Sequence, residues 1–473
     1  MLHNISLNQG NILGGLATSS WYAYLLMLLV MSFNPNRIDS GFWQGFLAFF
    51  YLFLAIYLVA VLFGMRCHTR ALHNARLLLI FSFSTLVWLF VQANYSAQYR
   101  PLGAGLASAN IPAWFSPDTR ISITPGKTLW LMSSELFILL WLVLSLCLID
   151  SRRRLKQLLV TLAVVGFLHA AVAIFAYLNG LLLVDVGQLD GHYRIARGWF
   201  VNRNHFAAFL SLCLVGYIGL MFKQMFQGSK MSLKSLLVGV NGLYAACIGL
   251  ICLAMFMSQS RGAVTGLLIA SLCLAISTQR IHTNFKLKWP VIVSMLIVLM
   301  VSLAYFGPEL LNRLTSEGFS LGERLEQWII TLTAIKQAPI VGYGGGSYGT
   351  VFQAFRDQTE LRQVIYNQSH NQFLHVWLEQ GLVGLVLWLG VLFYSFAKGM
   401  STIANSKSSL VASTSFAACI IMLAAVLQSC VDFNLQIINI RCYFFVIIAL
   451  IFVCPTISHR RSISHRRSSI NSN

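Results

Sequence analysis

Long apolar runs recur along this chain, each close to 20 residues and each ended by a short polar segment. A helix rises 1.5 Å per residue, so about 20 apolar residues cross the hydrocarbon of a bilayer. The runs predict twelve spans, near 13–33, 42–64, 74–93, 127–149, 158–178, 205–222, 236–257, 262–278, 290–306, 371–397, 409–430 and 438–455. Ser19 and Ser20 interrupt the first, and only a polar corner at 258–261 separates the seventh from the eighth. None has the period-two alternation of a membrane β-barrel strand. The fold class read from this pattern is an all-α polytopic integral membrane protein with about 12 transmembrane helices and a large loop between spans 9 and 10.

Composition agrees. Of 473 residues, 57% are hydrophobic and 10% charged, and the mean hydropathy is +0.71. A soluble domain carries about 25% charged residues, so a soluble enzyme is excluded. The 13% of aromatic residues excludes a disordered chain. The N-terminus lacks a basic n-region, so no cleavable signal peptide is expected.

Charge sets the orientation. The formal net charge is +19. Nearly all of the excess lies in the connections on the side of the termini, as at Arg152, Arg153, Arg154 and Lys156, where Asp150 is the lone acid. Lys and Arg accumulate in cytoplasmic loops, so both termini are expected in the cytoplasm of a bacterial inner membrane. The basicity then reports topology and contact with anionic membrane lipids, with no nucleic acid implied. The basic stretch 459–467 reads equally as a surface anchor or a solvated end.

The cytoplasmic connections are short and carry no nucleotide-binding fingerprint. The outer ones, near 94–126, 179–204 and 307–370, are long enough to carry function. Within the longest, Leu325, Trp328, Ile329, Leu332 and Ile335 recur at helical spacing and predict an amphipathic helix over 321–338, lying on the membrane. Pro339 and the run Gly342-Tyr343-Gly344-Gly345-Gly346-Ser347 end it. The glycines can cradle phosphate, although a plain hinge is the better reading. Ten cysteines without a CxxC pair support neither a metal site nor a disulfide framework; Cys430 and Cys442 flank a short outer turn and can pair.

Three polar clusters fall at the outer face: 194–205, 258–262 and 367–371. Arginine binds phosphate oxygens through a planar fork that keeps its charge, and histidine takes a proton near neutral pH. Two arginines at the lipid–water boundary therefore suit a diphosphate leaving group. Arg203 either grips such a group or snorkels at a helix start; Arg261, in a tight corner, is less expected as a mere surface charge. His370 either caps the tenth span or acts on a proton. His205 either orients Arg203, caps its helix or reacts. Arg194, Arg197 and Arg324 either recruit an anionic substrate or are solvated. His169 reads as a packed core residue. Glu135 and Glu379 can pair with the arginines.

At these residues the chain resembles the O-antigen ligase and polymerase superfamily of bacterial membrane glycosyltransferases. The resemblance is carried by Ala196-Arg197-Gly198-Trp199-Phe200-Val201-Asn202-Arg203-Asn204-His205-Phe206-Ala207, by Ser260-Arg261-Gly262-Ala263, by Arg324, Trp328, Pro339 and Gly342-Tyr343-Gly344, and by Ser369-His370-Asn371-Gln372-Phe373-Leu374 with Glu379-Gln380-Gly381. Four segments in order, covering roughly 190–395, make a fairly specific set. The resemblance implies a GT-C-like, inverting, metal-independent transferase without cofactors. It would take a glycan from undecaprenyl diphosphate at the periplasmic face. Arg203 and Arg261 would hold the diphosphate and His370 would be the base. The acceptor would be another glycan, a lipid A–core or a protein hydroxyl. Four regions follow: an N-terminal transmembrane bundle (1–189), the ligase/polymerase-like catalytic region (190–397, with the periplasmic loop 307–370), C-terminal transmembrane helices (398–455) and a basic cytoplasmic tail (456–473).

Two other readings compete. A protein O-oligosaccharyltransferase shares the resemblance, although a separate C-terminal extracytoplasmic domain is not evident. A polytopic transporter would place charges near the bilayer midplane, whereas these lie at the outer rim, and a flippase of lipid-linked glycan would need a cationic cavity accessible from both faces.

Overall fold

The computed structural model describes residues 2–33, 41–65, 67–95, 121–184, 195–228, 239–285, 321–356 and 366–470. The described elements are helices: α1 (Leu2–Ser32), α2 (Gly41–Leu62), α3 (Thr69–Asn74), α4 (Arg76–Asn94), α5 (Pro125–Leu148), α6 (Arg152–Leu178), α7 (Arg203–Met221), α8 (Gly239–Met257), α9 (Arg261–Ile281), α10 (Leu321–Gln337), α11 (Tyr348–Phe355), α12 (Gln372–Asn405), α13 (Ser409–Ser429) and α14 (Ile438–Ile470), with short 3₁₀ turns at Phe222–Gln227 and Asn434–Gln436. Among the described residues 11 helices are long and apolar enough to cross a membrane. The chain is a polytopic membrane protein. The ninth expected span, 290–306, lies outside the described residues, as does Arg194.

The bundle is centred on α7, α13 and α14, most of whose apolar windows are enclosed by protein, while α1, α2 and α8 present most of theirs outward. With lipid as solvent, apolar burial does little to drive helix association, and close backbone approach takes its place. Gly216 supplies that approach: a Cβ there would lie 2.2 Å from the Leu159 carbonyl of α6. Gly166 does the same in reverse, where a Cβ would meet Cys213 at 2.6 Å. The Ser413 hydroxyl donates to the Gly219 carbonyl at 2.7 Å and ties α13 to α7. His169, fully buried, meets the Ser32 hydroxyl at 3.1 Å among Phe33, Phe200 and Phe209, the packed residue expected of it.

The two ends of the bundle are held by separate sets of contacts. At one end His68 bridges the Ile149 carbonyl (3.0 Å) and the Thr456 hydroxyl (3.2 Å), and Asn74 donates to the Phe452 carbonyl. At the other, Gln92 of α4 donates to the Val341 and Glu379 carbonyls, and Trp88 donates to that of Gln380. This second end carries the described residues of all three polar clusters of the sequence.

Two local features differ from expectation. The tenth span, expected as one helix over 371–397, is longer and is broken at Gly381, where φ is 67°. The glycine run passes into that break. Tyr343 N and Gly344 N donate to the Leu378 and Glu379 carbonyls, and Leu382 N donates to Pro339 O. A Cβ at Gly342 would sit 2.4 Å from Gly381 N, and one at Gly344 2.2 Å from the Ser122 hydroxyl. The run is neither a free hinge nor a phosphate cradle. Its glycines let two backbones touch.

The amphipathic helix forms, as α10, with Leu325, Ile329 and Leu332 exposed and Ala334 and Ile335 buried. Its inner face packs on a small separate core that includes Tyr343, Tyr348, Val351, Phe352 and Leu378. The outward apolar stripe is the geometry of a helix seated in a membrane interface. All ten cysteines are free, so Cys430 and Cys442 are not paired: one is exposed and the other buried in α14.

Candidate functional site

Three helix N-termini meet at one corner of the bundle. Asn202 caps α7, its side chain accepting from Asn204 N at 2.8 Å, which puts Arg203 first in the helix and His205 in its first turn. Arg261 is first in α9. Asn371 caps α12 by accepting from Phe373 N (3.0 Å) and Leu374 N (3.1 Å), with His370 just outside. No acid occupies the first turn of any of the three. A cation at a helix N-terminus opposes the macrodipole, whereas an anion there is stabilised. Arginines as the first residues of α7 and α9 therefore make the corner strongly attractive to an anion.

The turn at 430–433, between α13 and α14, is where the clusters join. Asp432 is 2% exposed. Its Oδ1 accepts from Phe433 N at 2.8 Å and lies 3.8 Å from His370 Nδ1 and 4.0 Å from His205 Nε2. Both imidazoles are thus at ion-pair distance from one carboxylate. The Phe433 ring meets both edge-to-face, with centroids at 4.8 Å from His205 and 5.0 Å from His370. Burial alone would raise the Asp432 pKa; the adjacent His370, the charge of His205 and that of Arg324 outweigh burial and hold it below its ordinary value.

Neighbouring contacts fix this turn in place. Arg324 of α10 donates to the Val431 carbonyl at 3.1 Å. Asn371 donates to the Cys430 carbonyl at 2.9 Å. Trp328 donates to the Ser369 carbonyl at 2.9 Å, which anchors the segment carrying His370. On the other flank Arg203 donates to Gln259 Oε1 at 3.3 Å, and Gln428 donates to the Asn204 carbonyl at 3.2 Å. A Cβ on Gly262, next to Arg261, would touch Val431 at 3.2 Å.

Among the described residues, the non-glycine positions with left-handed backbone are Gln259 (φ 55°) and His370 (φ 50°). Both are in this corner. Such a conformation costs on the order of 1 kcal/mol or more and persists only where surrounding contacts impose it.

Of the residues singled out from sequence, His205, Arg324 and His370 are drawn around 430–433, and Arg203 and Arg261 open α7 and α9 at the same corner. Arg197 is not a solvated charge. It is 6% exposed, and its guanidinium donates to the Val201 carbonyl, bracing the loop that leads into α7. The two glutamates take other partners than these arginines. Glu135 pairs with Arg441. Glu379, 4% exposed, lies 3.3 Å from His375 Nε2 and accepts from Tyr348 N at 2.9 Å.

Asp432 is the residue of this corner that the sequence reading missed. Its one signal was an acid in a short connection of a chain that has 14 Asp and Glu in all. A cavity of about 750 Å3 lies beside this corner, and none of Arg203, Arg261, His370 or Asp432 lines it.

Residues 246–389 match the family model described as O-antigen ligase, so an O-antigen ligase domain is present in the chain. The match takes in Arg261, Arg324 and His370 and leaves out Arg203, His205 and Asp432. An uncharacterized protein of Haemophilus influenzae is 36% identical over 89 residues, 18% of this chain and 22% of that protein. The chain thus spans about a fifth of the length of the curated relative it matches.

Proposed function

We propose that this chain transfers a glycan from undecaprenyl diphosphate to an acceptor hydroxyl at the periplasmic face of a bacterial inner membrane. The observation that carries the reading is the pair of imidazoles on the Asp432 carboxylate, beside two helix N-termini that each begin with an arginine. A matched O-antigen ligase domain supports it.

In this reading Arg203 and Arg261 hold the diphosphate, with the backbone N–H groups of their helix starts adding to the field. His370 takes the proton of the acceptor hydroxyl as its oxygen attacks the anomeric carbon. The bond from that carbon to the diphosphate oxygen breaks, configuration inverts, and undecaprenyl diphosphate leaves with the electron pair. Asp432, ionised and buried, orients the imidazole of His370 and stabilises the imidazolium that forms. Charge stabilisation by preorganised donors accounts for the rest of the rate.

The test uses the full chain in vesicles with a synthetic undecaprenyl-diphosphate-linked glycan and an acceptor glycan. Wild type releases undecaprenyl diphosphate and forms the longer product. His370→Ala and Arg261→Ala stop transfer while leaving donor on the outer leaflet. Donor trapped on the inner leaflet by the same substitutions would overturn the reading in favour of a flippase. A deletion strain then sorts the acceptor. Loss of all attached polymer marks a ligase, a single-repeat cap marks a polymerase, and normal lipid-linked polymer with unglycosylated protein marks protein O-glycosylation.

A further inference from the structure

The cavity of about 750 Å3 beside the Asp432 corner has a chemistry of its own. Its volume lies within the range of small-ligand sites. It opens between α2, α5 and the start of α14, and it abuts the corner through shared segments: Gln368 lines it two residues before His370, and Gln436 lines it four after Asp432.

Aromatic rings come from Trp43 and Trp130, and hydrogen-bonding groups from Gln44, Ser134 and Gln368. A hydrocarbon tail would leave those polar groups without water or partners. A simple anion is not favoured either, because the charges cancel: of the two lining cations Arg441 is already paired with Glu135, and Glu379 offsets Lys127. The lining suits a ligand with apolar C–H faces and many hydroxyls.

Two buried atoms on the wall point the same way. Gln368 Oε1 and His375 Nδ1 have no hydrogen-bond partner. The His375 ring cannot turn to find one. Its Nε2 faces Glu379 Oε1 at 3.3 Å, and its face stacks on Tyr348 at 4.9 Å. With Nε2–H directed at the carboxylate, Nδ1 is left as an acceptor for a hydroxyl.

We infer that this cavity is a saccharide-binding subsite, in which aromatic faces carry a sugar ring while Gln368 Oε1 and His375 Nδ1 accept its hydroxyl hydrogen bonds. It would seat the acceptor glycan next to His370. The role as acceptor subsite rests on the transferase reading above; saccharide binding itself does not.

The experiment uses purified full-length protein in lipid nanodiscs, titrated with the oligosaccharide that mild acid releases from the source bacterium's surface polysaccharide. A separate titration uses undecaprenyl diphosphate. Wild type binds the oligosaccharide saturably. Gln368→Ala and Trp130→Ala each weaken that binding at least tenfold and leave undecaprenyl diphosphate binding unchanged; Arg203→Ala does the converse. Trp130 is half exposed, so its truncation leaves the bundle packing intact, and Ser134→Trp, which fills the cavity, is a second block. No saturable binding by wild type, unchanged affinity in all three cavity variants, or loss of undecaprenyl diphosphate in those variants would each overturn the inference. Saturable sugar binding that the cavity variants abolish, in a protein without transfer activity, would uphold the saccharide site and sink the transferase reading alone.

Discussion

At the scale of single residues the site turns on Asp432. A carboxylate that two imidazoles approach while water is excluded is worth more ionised than protonated, hence its lowered pKa. The pH dependence has a definite sign. A depressed pKa contributes stability that is fully present above the unfolded value, near 3.8, and is lost as pH falls through the lower folded value. Asp432→Asn should therefore melt below wild type in detergent at neutral pH, by a margin that holds down to about pH 4 and narrows below it; a margin constant to pH 3 would contradict the ionised buried carboxylate. The same substitution should cost about a hundredfold or more in transfer rate, measured as undecaprenyl diphosphate release, because His370, the proton acceptor, loses the carboxylate that orients it. Arg203, Arg261 and His370 were legible in the sequence because ionisable groups at a membrane rim are conspicuous against apolar spans. Asp432 was not, since a lone acid in a short turn has no local pattern. Its partners lie 62 and 227 positions back along the chain, at His370 and His205, and only the packing of α7, α12 and α13 brings them together.

At the scale of elements, periodicity located the spans and the amphipathic α10, because 3.6-residue spacing and span length are local properties of sequence. The break in α12 was not legible, since Gly381 sits in an apolar run that reads as continuous. The helix opens there because the 339–344 strap needs backbone carbonyls to accept its N–H groups, a long-range demand. Gly381 is at φ 67°, and a Cβ would fall 2.1 Å from the Ile340 carbonyl oxygen. Gly381→Ala should destabilise the fold by about 3 kcal/mol or more, as strain and overpacking combine. The readout is loss of the monodisperse peak in size-exclusion chromatography, with Gly14→Ala, whose Cβ meets nothing within 4 Å, as the silent control. Asn371→Ala tests the other join. It removes the α12 cap, worth about 1 kcal/mol, and the tether to Cys430, so transfer activity should fall further than the small drop in melting temperature implies. A loss of stability without loss of activity would mean that His370 does not depend on that tether.

At the scale of the whole molecule, the charge asymmetry and the clustering of polar groups at one end are independent observations. One comes from counting lysines and arginines in the connections, the other from packing. If positive charge marks the cytoplasmic face, the corner around Asp432 opens to the periplasm, where a lipid-linked glycan is reached without a nucleotide. The cysteines offer a direct check. Cys430 is exposed in the turn beside Asp432, whereas Cys67 lies in the short connection at the opposite end. In an otherwise cysteine-free chain, a membrane-impermeant maleimide applied to intact spheroplasts should label Cys430 restored alone and leave Cys67 restored alone unlabelled until the cells are lysed. The thiolate is the reacting species, and burial raises the Cys430 pKa above its ordinary 9.0. Its labelling rate should therefore climb steadily from pH 7 to pH 9 without levelling. The opposite labelling pattern would invert the molecule in the membrane, put both arginines on the cytoplasmic side, and leave a periplasmic donor out of their reach.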